Sequence, residues 1–232
     1  MEVFLLGHDY KYAVEQMLLT LYPEERPEYP EGKPDGRCMV IKLSEGAKFM
    51  TASCKSVMDG KTSYGRAAAL KSRLTSRLMT DRVCQSLVKD AIYRAALAGG
   101  LEHPAWGSLS GVRPGKVFRP LLYEGHSPEE ATKIFIEKYD VTEKRAKLCR
   151  DTSIETVKAE KELDAIIAEL RQYLANNYKD QAHAMREKLH TRAEELHSAG
   201  KLSEELFASY EKQYQSFTEQ MKNYNHREFY HS

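Results

Sequence analysis

The chain has four cysteines in 232 residues and none of them forms a cluster motif. Cys38, Cys54, Cys84 and Cys149 lie 16, 30 and 65 positions apart. No CxxC or CxxxCxxC spacing occurs, which excludes a sequence-local zinc knuckle or iron–sulfur motif. Four reduced structural thiols are expected, as befits a cytoplasmic chain. No run approaches the roughly 20 apolar residues of a membrane helix. The opening MEVFLLGHDYKY carries an acid at position 2 and only a short apolar stretch, so it does not read as a signal peptide. Tryptophan occurs once, at Trp106. From Asp151 onward there is no proline and only Gly200 as a glycine, so few punctuators interrupt a helical tail.

What is present divides unevenly. Residues 1–150 carry 24 lysines and arginines against 19 acids, and residues 151–232 carry 11 against 15, so the overall +1 conceals halves of +5 and −4. Residues 60–119 hold eleven cations and only Asp81, Asp90 and Glu102 as acids. Such a segment fits an anionic ligand, a nucleic acid or an acidic partner, although a solvated helix face gives the same pattern.

Residues 2–6 read as a buried strand. Tyr10, Val14, Met17, Leu18 and Leu21 have helical spacing, giving a helix over 10–22 with Asp9 as its N-cap. An acidic, proline-rich loop occupies 23–36. Strands are expected at 38–43 and 48–58, completing β-α-β-β, and then a long helix over 70–97 with a basic outer side, stopped by Gly99-Gly100. Short helices are expected at 116–123, 127–138 and 142–149; Ser127-Pro128 is a strong start signal. Residues 154–174 form another helix. Helices over 181–199 and 206–224, separated by Gly200 and restarted at Ser203, form an antiparallel hairpin with a coiled-coil-like seam suited to self-association. The class is α+β: an α+β domain over 1–150 and a helical extension over 151–232.

The densest stretch is Trp106-Gly-Ser-Leu-Ser-Gly-Val-Arg-Pro-Gly-Lys116, with three glycines and a proline between helical segments. Ordering such a loop costs conformational entropy. It reads either as a connector with Trp106 in the core, or as a shaped loop presenting Arg113 and Lys116 to an anionic ligand or partner. Candidate binding residues are Trp106, Arg113, Lys116, Arg119, Lys61 and Arg66. His183, His190 and His197 recur every seven residues, which puts them about 10 Å apart along a helix, too far for one metal ion. His8-Asp9 fits a helix entry better than an acid–base pair. Gly60-Lys-Thr lacks the upstream glycine of a phosphate loop, because position 55 is Lys55. The basic helix is compatible with RNA, but no RNP or GXXG motif accompanies it.

The loop resembles the Trp-Gly-x-Leu-Thr-Gly-Ile-Arg-Pro-Thr-Lys stretch of HemZ-type coproporphyrinogen dehydrogenases, radical-SAM proteins related to oxygen-independent coproporphyrinogen III oxidases. Met1–Tyr12, Gly60–Lys71 and Tyr139–Leu148 resemble further segments of that family, so the resemblance covers roughly residues 1–160. Gly115 replaces the family's threonine. The resemblance implies an accessory region that precedes a barrel binding a [4Fe–4S] cluster and S-adenosylmethionine through CxxxCxxC. Here a helical segment stands where that barrel would begin, and no cysteine maps onto the cluster motif, so no catalytic residue is carried over. The leading expectation is a non-catalytic accessory or partner-docking protein of tetrapyrrole biosynthesis. The alternatives are one part of a split coproporphyrinogen dehydrogenase working with a separate radical-SAM subunit, an RNA-binding module using the basic helix, and a purely structural helical assembly protein.

Overall fold

The computed structural model describes residues 1–222 and 224. Its class is α+β, and the chain forms two compact units. The first comprises residues 1–114 and 132–146; the second comprises 115–131 and 147–232.

In the first unit, β1 (Glu2–Leu6) pairs parallel to β2 (Cys38–Glu45), with α1 (Lys11–Leu21) as the crossover. β3 (Phe49–Met58) and β4 (Lys61–Leu70) continue the sheet antiparallel, in the order β1-β2-β3-β4. The expected β-α-β-β unit is therefore present with one strand more. Asp59 and Gly60 link β3 to β4, both at positive φ (48° and 76°), a two-residue turn whose twist suits a hairpin.

β4 overturns the expected start of the long helix at residue 70. A 3-10 turn at Lys71–Arg73 succeeds β4, and the helix α2 runs from Arg77 to Ala98. Ser76 caps it, its hydroxyl accepting the Met79 N–H at 3.2 Å. Alternation explains the strand: Ser63, Gly65 and Ala67 face inward, while Tyr64 and Arg66 face out. At Gly65 a Cβ would lie 2.0 Å from the Ala91 carbonyl oxygen and 2.4 Å from the Ala95 nitrogen, so α2 rests directly on the strand backbone. Ser63 donates to the Ala95 carbonyl at 2.7 Å. Val14, Met17 and Leu18 of α1, Met39, Ile41 and Cys54 of the sheet, and Val88, Ala91 and Ile92 of α2 form the core. Asp9 is not the cap of α1: Tyr10 precedes the helix without a side-chain cap, and its N–H goes to His8 Nδ1 at 3.2 Å.

The helices α3 (Pro114–Tyr123) and α4 (Pro128–Tyr139) come next. Ser127 and Glu130 form a reciprocal capping box: the Glu130 N–H donates to the Ser127 hydroxyl at 3.2 Å, and the Ser127 N–H donates to the Glu130 carboxylate at 2.9 Å. The helices expected at 142–149 and 154–174 are one, α5 (Glu143–Ala175). No glycine or proline falls in this span, and the Thr152 hydroxyl bonds back to the Leu148 carbonyl within the helix instead of interrupting it.

In the second unit, α6 (Lys179–Ser198) and α7 (Glu204–Gln220) form the expected hairpin, with Gly200 at φ 70° and Ser203 accepting the Leu206 N–H. α7 stops short of 224, and position 223 lies outside the described residues. The seam is covered from within the chain. Leu163, Ile166, Ile167 and Leu170 of α5 share one core with Leu189, Ala193 and Leu196 of α6 and Tyr210 and Phe217 of α7. The hairpin is thus part of a three-helix bundle.

Candidate functional site

The loop between α2 and α3 is held by its backbone. Gly107 sits at φ 55°, and a Cβ there would lie 2.0 Å from the Tyr139 carbonyl oxygen and 2.2 Å from that of Asp140. The Ser108 N–H donates to the Tyr139 carbonyl at 2.8 Å, and the Thr142 N–H to that of Ala105 at 3.2 Å. From α2, Lys89 reaches over to donate to the Ser110 carbonyl at 3.0 Å; its burial holds the ammonium pKa below the usual lysine value. Ser108, Leu109 and Ser110 are buried. Trp106 is only half-buried, with the Arg145 guanidinium 5.4 Å from its ring centre.

This loop forms one wall of a cleft of about 390 Å³ within the first unit, lined by Asp90, Tyr93, Arg94, Ser108, Lys138 and Asp140 among others. Burial raises the Asp90 carboxyl pKa; the charge of Arg94, the Ser108 hydroxyl and the charge of Lys138 offset only part of that. At Asp140 burial also acts upward. Hydrogen bonds from Tyr93 and His103 and the charges of His103 and Arg94 outweigh it, so this carboxyl titrates below the ordinary range. The Tyr93 hydroxyl donates to Asp140 at 2.7 Å, and His103 Nε2 is 3.0 Å from the same oxygen. Asp140 stands at φ 55°, held between these two partners. The cleft therefore joins two exposed cations, Arg94 and Lys138, with three carboxyl groups, those of Asp90, Glu137 and Asp140. It suits recognition of a hydrogen-bonding group that meets charges of both signs. Sequence reasoning missed Lys138 and Asp140 as site residues and placed Arg94 only on the basic helix face, because the three lie on α2, at the end of α4 and just beyond it, and no local spacing links them.

The six residues singled out from the sequence do not assemble together. Trp106 and Arg113 lie in the loop of the first unit, and Lys61 and Arg66 are exposed on β4. Lys116 and Arg119 belong to the second unit, where each meets a carboxylate. Lys116 pairs with Glu205 at 2.6 Å. Arg119 pairs with Glu160 at 3.3 Å, in a setting where the two side chains are only 17% and 15% exposed. Tyr123 also donates to Glu160. The basic stripe expected along one helix is broken up as well. Lys71 and Arg73 lie outside α2, Lys71 pairs with Glu45, and Lys89 is occupied by the loop.

The heptad histidines stitch α6 to α7 and to the residues on either side of it. His183 Nε2 lies 2.9 Å from the Tyr224 carbonyl oxygen. His190 meets Glu211 at 2.8 Å and stacks on Tyr214, and His197 reaches the Leu202 carbonyl at 3.1 Å and stacks on Phe207. His8 is half-buried, burial lowers its pKa, and its Nδ1 accepts the Tyr10 N–H. The cysteines do not fit a [4Fe–4S] cluster. Cys54 and Cys84 lie in the core of the first unit, Cys38 is on the opposite sheet face from Cys54, and Cys149 is buried in the second unit. Burial pushes the Cys54 thiol up to about 12. Among the described residues no group of three or more His, Cys, Asp or Glu side chains is arranged to hold a metal, and no helix is long and apolar enough to cross a membrane.

Comparison with protein families, with characterised proteins and with solved structures finds no match to this chain.

Proposed function

We propose that the chain is a non-catalytic accessory protein that docks a separate radical-SAM barrel. It would stand to that barrel as the resembling N-terminal region of HemZ-type coproporphyrinogen dehydrogenases stands to theirs, in the cytoplasm and in the context of tetrapyrrole biosynthesis. The observation that supports this reading is the fixed loop at Trp106–Ser110. The stretch that carries the resemblance is a rigid wall, with Gly107 pressed on the Tyr139 and Asp140 carbonyls, and it borders a cleft edged by Arg94 and Lys138. A wall that needs no reorganisation on binding keeps the entropic cost of docking low. The cleft's two cations, set among the carboxyls of Asp90, Glu137 and Asp140, suit a partner segment that carries charges of both signs.

The test is size-exclusion chromatography of the full chain mixed with a HemZ-type barrel expressed without its own N-terminal region. A complex that is lost in an Arg94→Glu, Lys138→Glu variant is the expected result. Independent elution of the two wild-type proteins would overturn the reading. If the barrel dehydrogenates coproporphyrinogen only when this chain is added, the pair is a split enzyme, and the docking reading still stands.

A further inference from the structure

The sheet of the first unit has one face under α1 and α2 and another that faces solvent over much of its area. Register fixes which residues share that outer face. Val40, Lys55 and Tyr64 form one row across β2, β3 and β4, and Lys42, Ser53 and Arg66 form the next. Toward β1 the same face is closed, with Phe4 and Cys38 buried. Over β3 and β4 it is open: Tyr64 is 66% exposed, and Lys42, Lys55 and Arg66 are exposed around it. Neighbouring strands are about 4.8 Å apart, and residues two apart on a strand about 6.8 Å. Lys55 thus lies directly across from Tyr64, and Arg66 comes two positions later on the same strand. Lys42 stands about 10 Å from Arg66, two strands away. Among the described residues none of these three cations has a carboxylate within 4.0 Å, whereas the cations Lys116, Arg119 and Arg192 of the second unit are paired.

We propose that this outer sheet face binds single-stranded nucleic acid, with a base stacked on Tyr64 and the flanking phosphates met by Lys42, Lys55 and Arg66. An exposed aromatic ring between unpaired cations is what an unstacked base and its backbone require. The Ser53 hydroxyl in the middle of the patch offers a donor and acceptor to a base edge or a phosphate. An acidic protein segment would satisfy the cations but leave the ring unused. A duplex would keep its bases stacked on one another and likewise leave Tyr64 idle. The proposal uses a different face from the cleft and does not rest on the docking reading.

Fluorescence anisotropy of labelled mixed-sequence 12-nucleotide RNA and DNA, titrated with the full chain at 50 and 200 mM salt, tests it. Single strands should bind in the micromolar range at the lower salt, at least tenfold tighter than the matching duplex, and weaken steeply with salt. Tyr64→Ala should weaken binding about 5- to 150-fold, the range typical of losing one base stack, while Tyr64→Phe should bind nearly as wild type. Arg66→Gln and Lys55→Gln should each reduce the slope of log K against log salt by about 0.7. These side chains are exposed, and circular dichroism will show that the variants fold. Three results would each overturn the proposal: no anisotropy change at 50 mM salt, equal binding by wild type and Tyr64→Ala, or equal displacement by polyglutamate of matched charge. The last would assign the face to acidic proteins.

Discussion

Gly107→Ala is the sharpest perturbation available to the loop. The position has φ 55°, and an L-residue there costs about 1–2 kcal/mol in backbone strain. The new methyl would start 2.0 Å from the Tyr139 oxygen, roughly 1.4 Å inside the 3.4 Å at which ordinary contact begins. Its neighbour is backbone and cannot rotate away. Shifting the loop to relieve the overlap would cost about 1–3 kcal/mol of overpacking. It would also stretch the 2.8 Å bond from Ser108 N–H to Tyr139, worth about 1 kcal/mol. The sum is a loss of about 3–6 kcal/mol from the first unit. Urea unfolding followed at Trp106, the single tryptophan, reads that unit; with a slope near 2 kcal/mol per molar, the midpoint should fall by about 1.5–3 M. Gly36→Ala supplies the comparison, since Gly36 has a similar φ of 67° but nothing within 4 Å of a Cβ, leaving only the backbone cost. Equal midpoints for the two variants would refute the claim that the loop is clamped against the Tyr139–Asp140 backbone.

Arg119→Ala should lower the stability of the second unit by about 1–3 kcal/mol, because it strips the cation from the largely buried Glu160; unchanged denaturation would mean that the pair contributes nothing. His190 has its pKa raised in the folded protein, chiefly by the hydrogen bond to Glu211, with the charges of Glu211, Glu194 and Glu187 adding to it against an opposing effect of burial. The proton is therefore held more tightly folded than unfolded. Its stabilisation is complete below the unfolded value of about 6.5 and is lost as pH rises through the higher folded value. Circular dichroism melts of wild type should fall from pH 6 to pH 8 by more than those of His190→Gln; parallel pH profiles would contradict this. All four cysteines are buried with thiol pKa values raised, so a thiol reagent at pH 8 should modify none of them within minutes in native protein and four in urea; a fast native thiol would expose an error in the packing.

The sequence was most legible where local chemistry decides structure. Ser127-Pro128 with Glu130, and Gly200 with Ser203, mark helix ends through caps that need no tertiary partner. The α+β class came from the apolar patterning of residues 2–6, 38–43 and 48–58 beside the helical spacing elsewhere. β4 was the main loss. Its Arg-Ala-Ala-Ala-Leu run has helical propensity, and only pairing with β3 and the close approach of α2 at Gly65 make it a strand. The Asp59-Gly60 turn, a two-residue hairpin signal, was the clue available. The third bundle helix was visible as 154–174, but the covering of the hairpin by Leu163, Ile167 and Leu170 depends on chain geometry that no periodicity states. The candidate site was half legible. The glycine loop stood out, yet its cleft takes Asp90 and Arg94 from α2, Lys138 from the end of α4 and Asp140 from just beyond it, more than 40 residues further along the chain. Lys116 and Arg119 showed the converse: cations prominent in sequence, each paired to a carboxylate once the second unit folds.

The proposed docking role is tested most directly by the heat of mixing the full chain with a HemZ-type radical-SAM barrel that lacks its own N-terminal region. Saturable binding near one-to-one stoichiometry is expected, weakened at least tenfold by Arg94→Glu together with Lys138→Glu. No measurable heat and no saturation, or wild-type binding by that double variant, would contradict it.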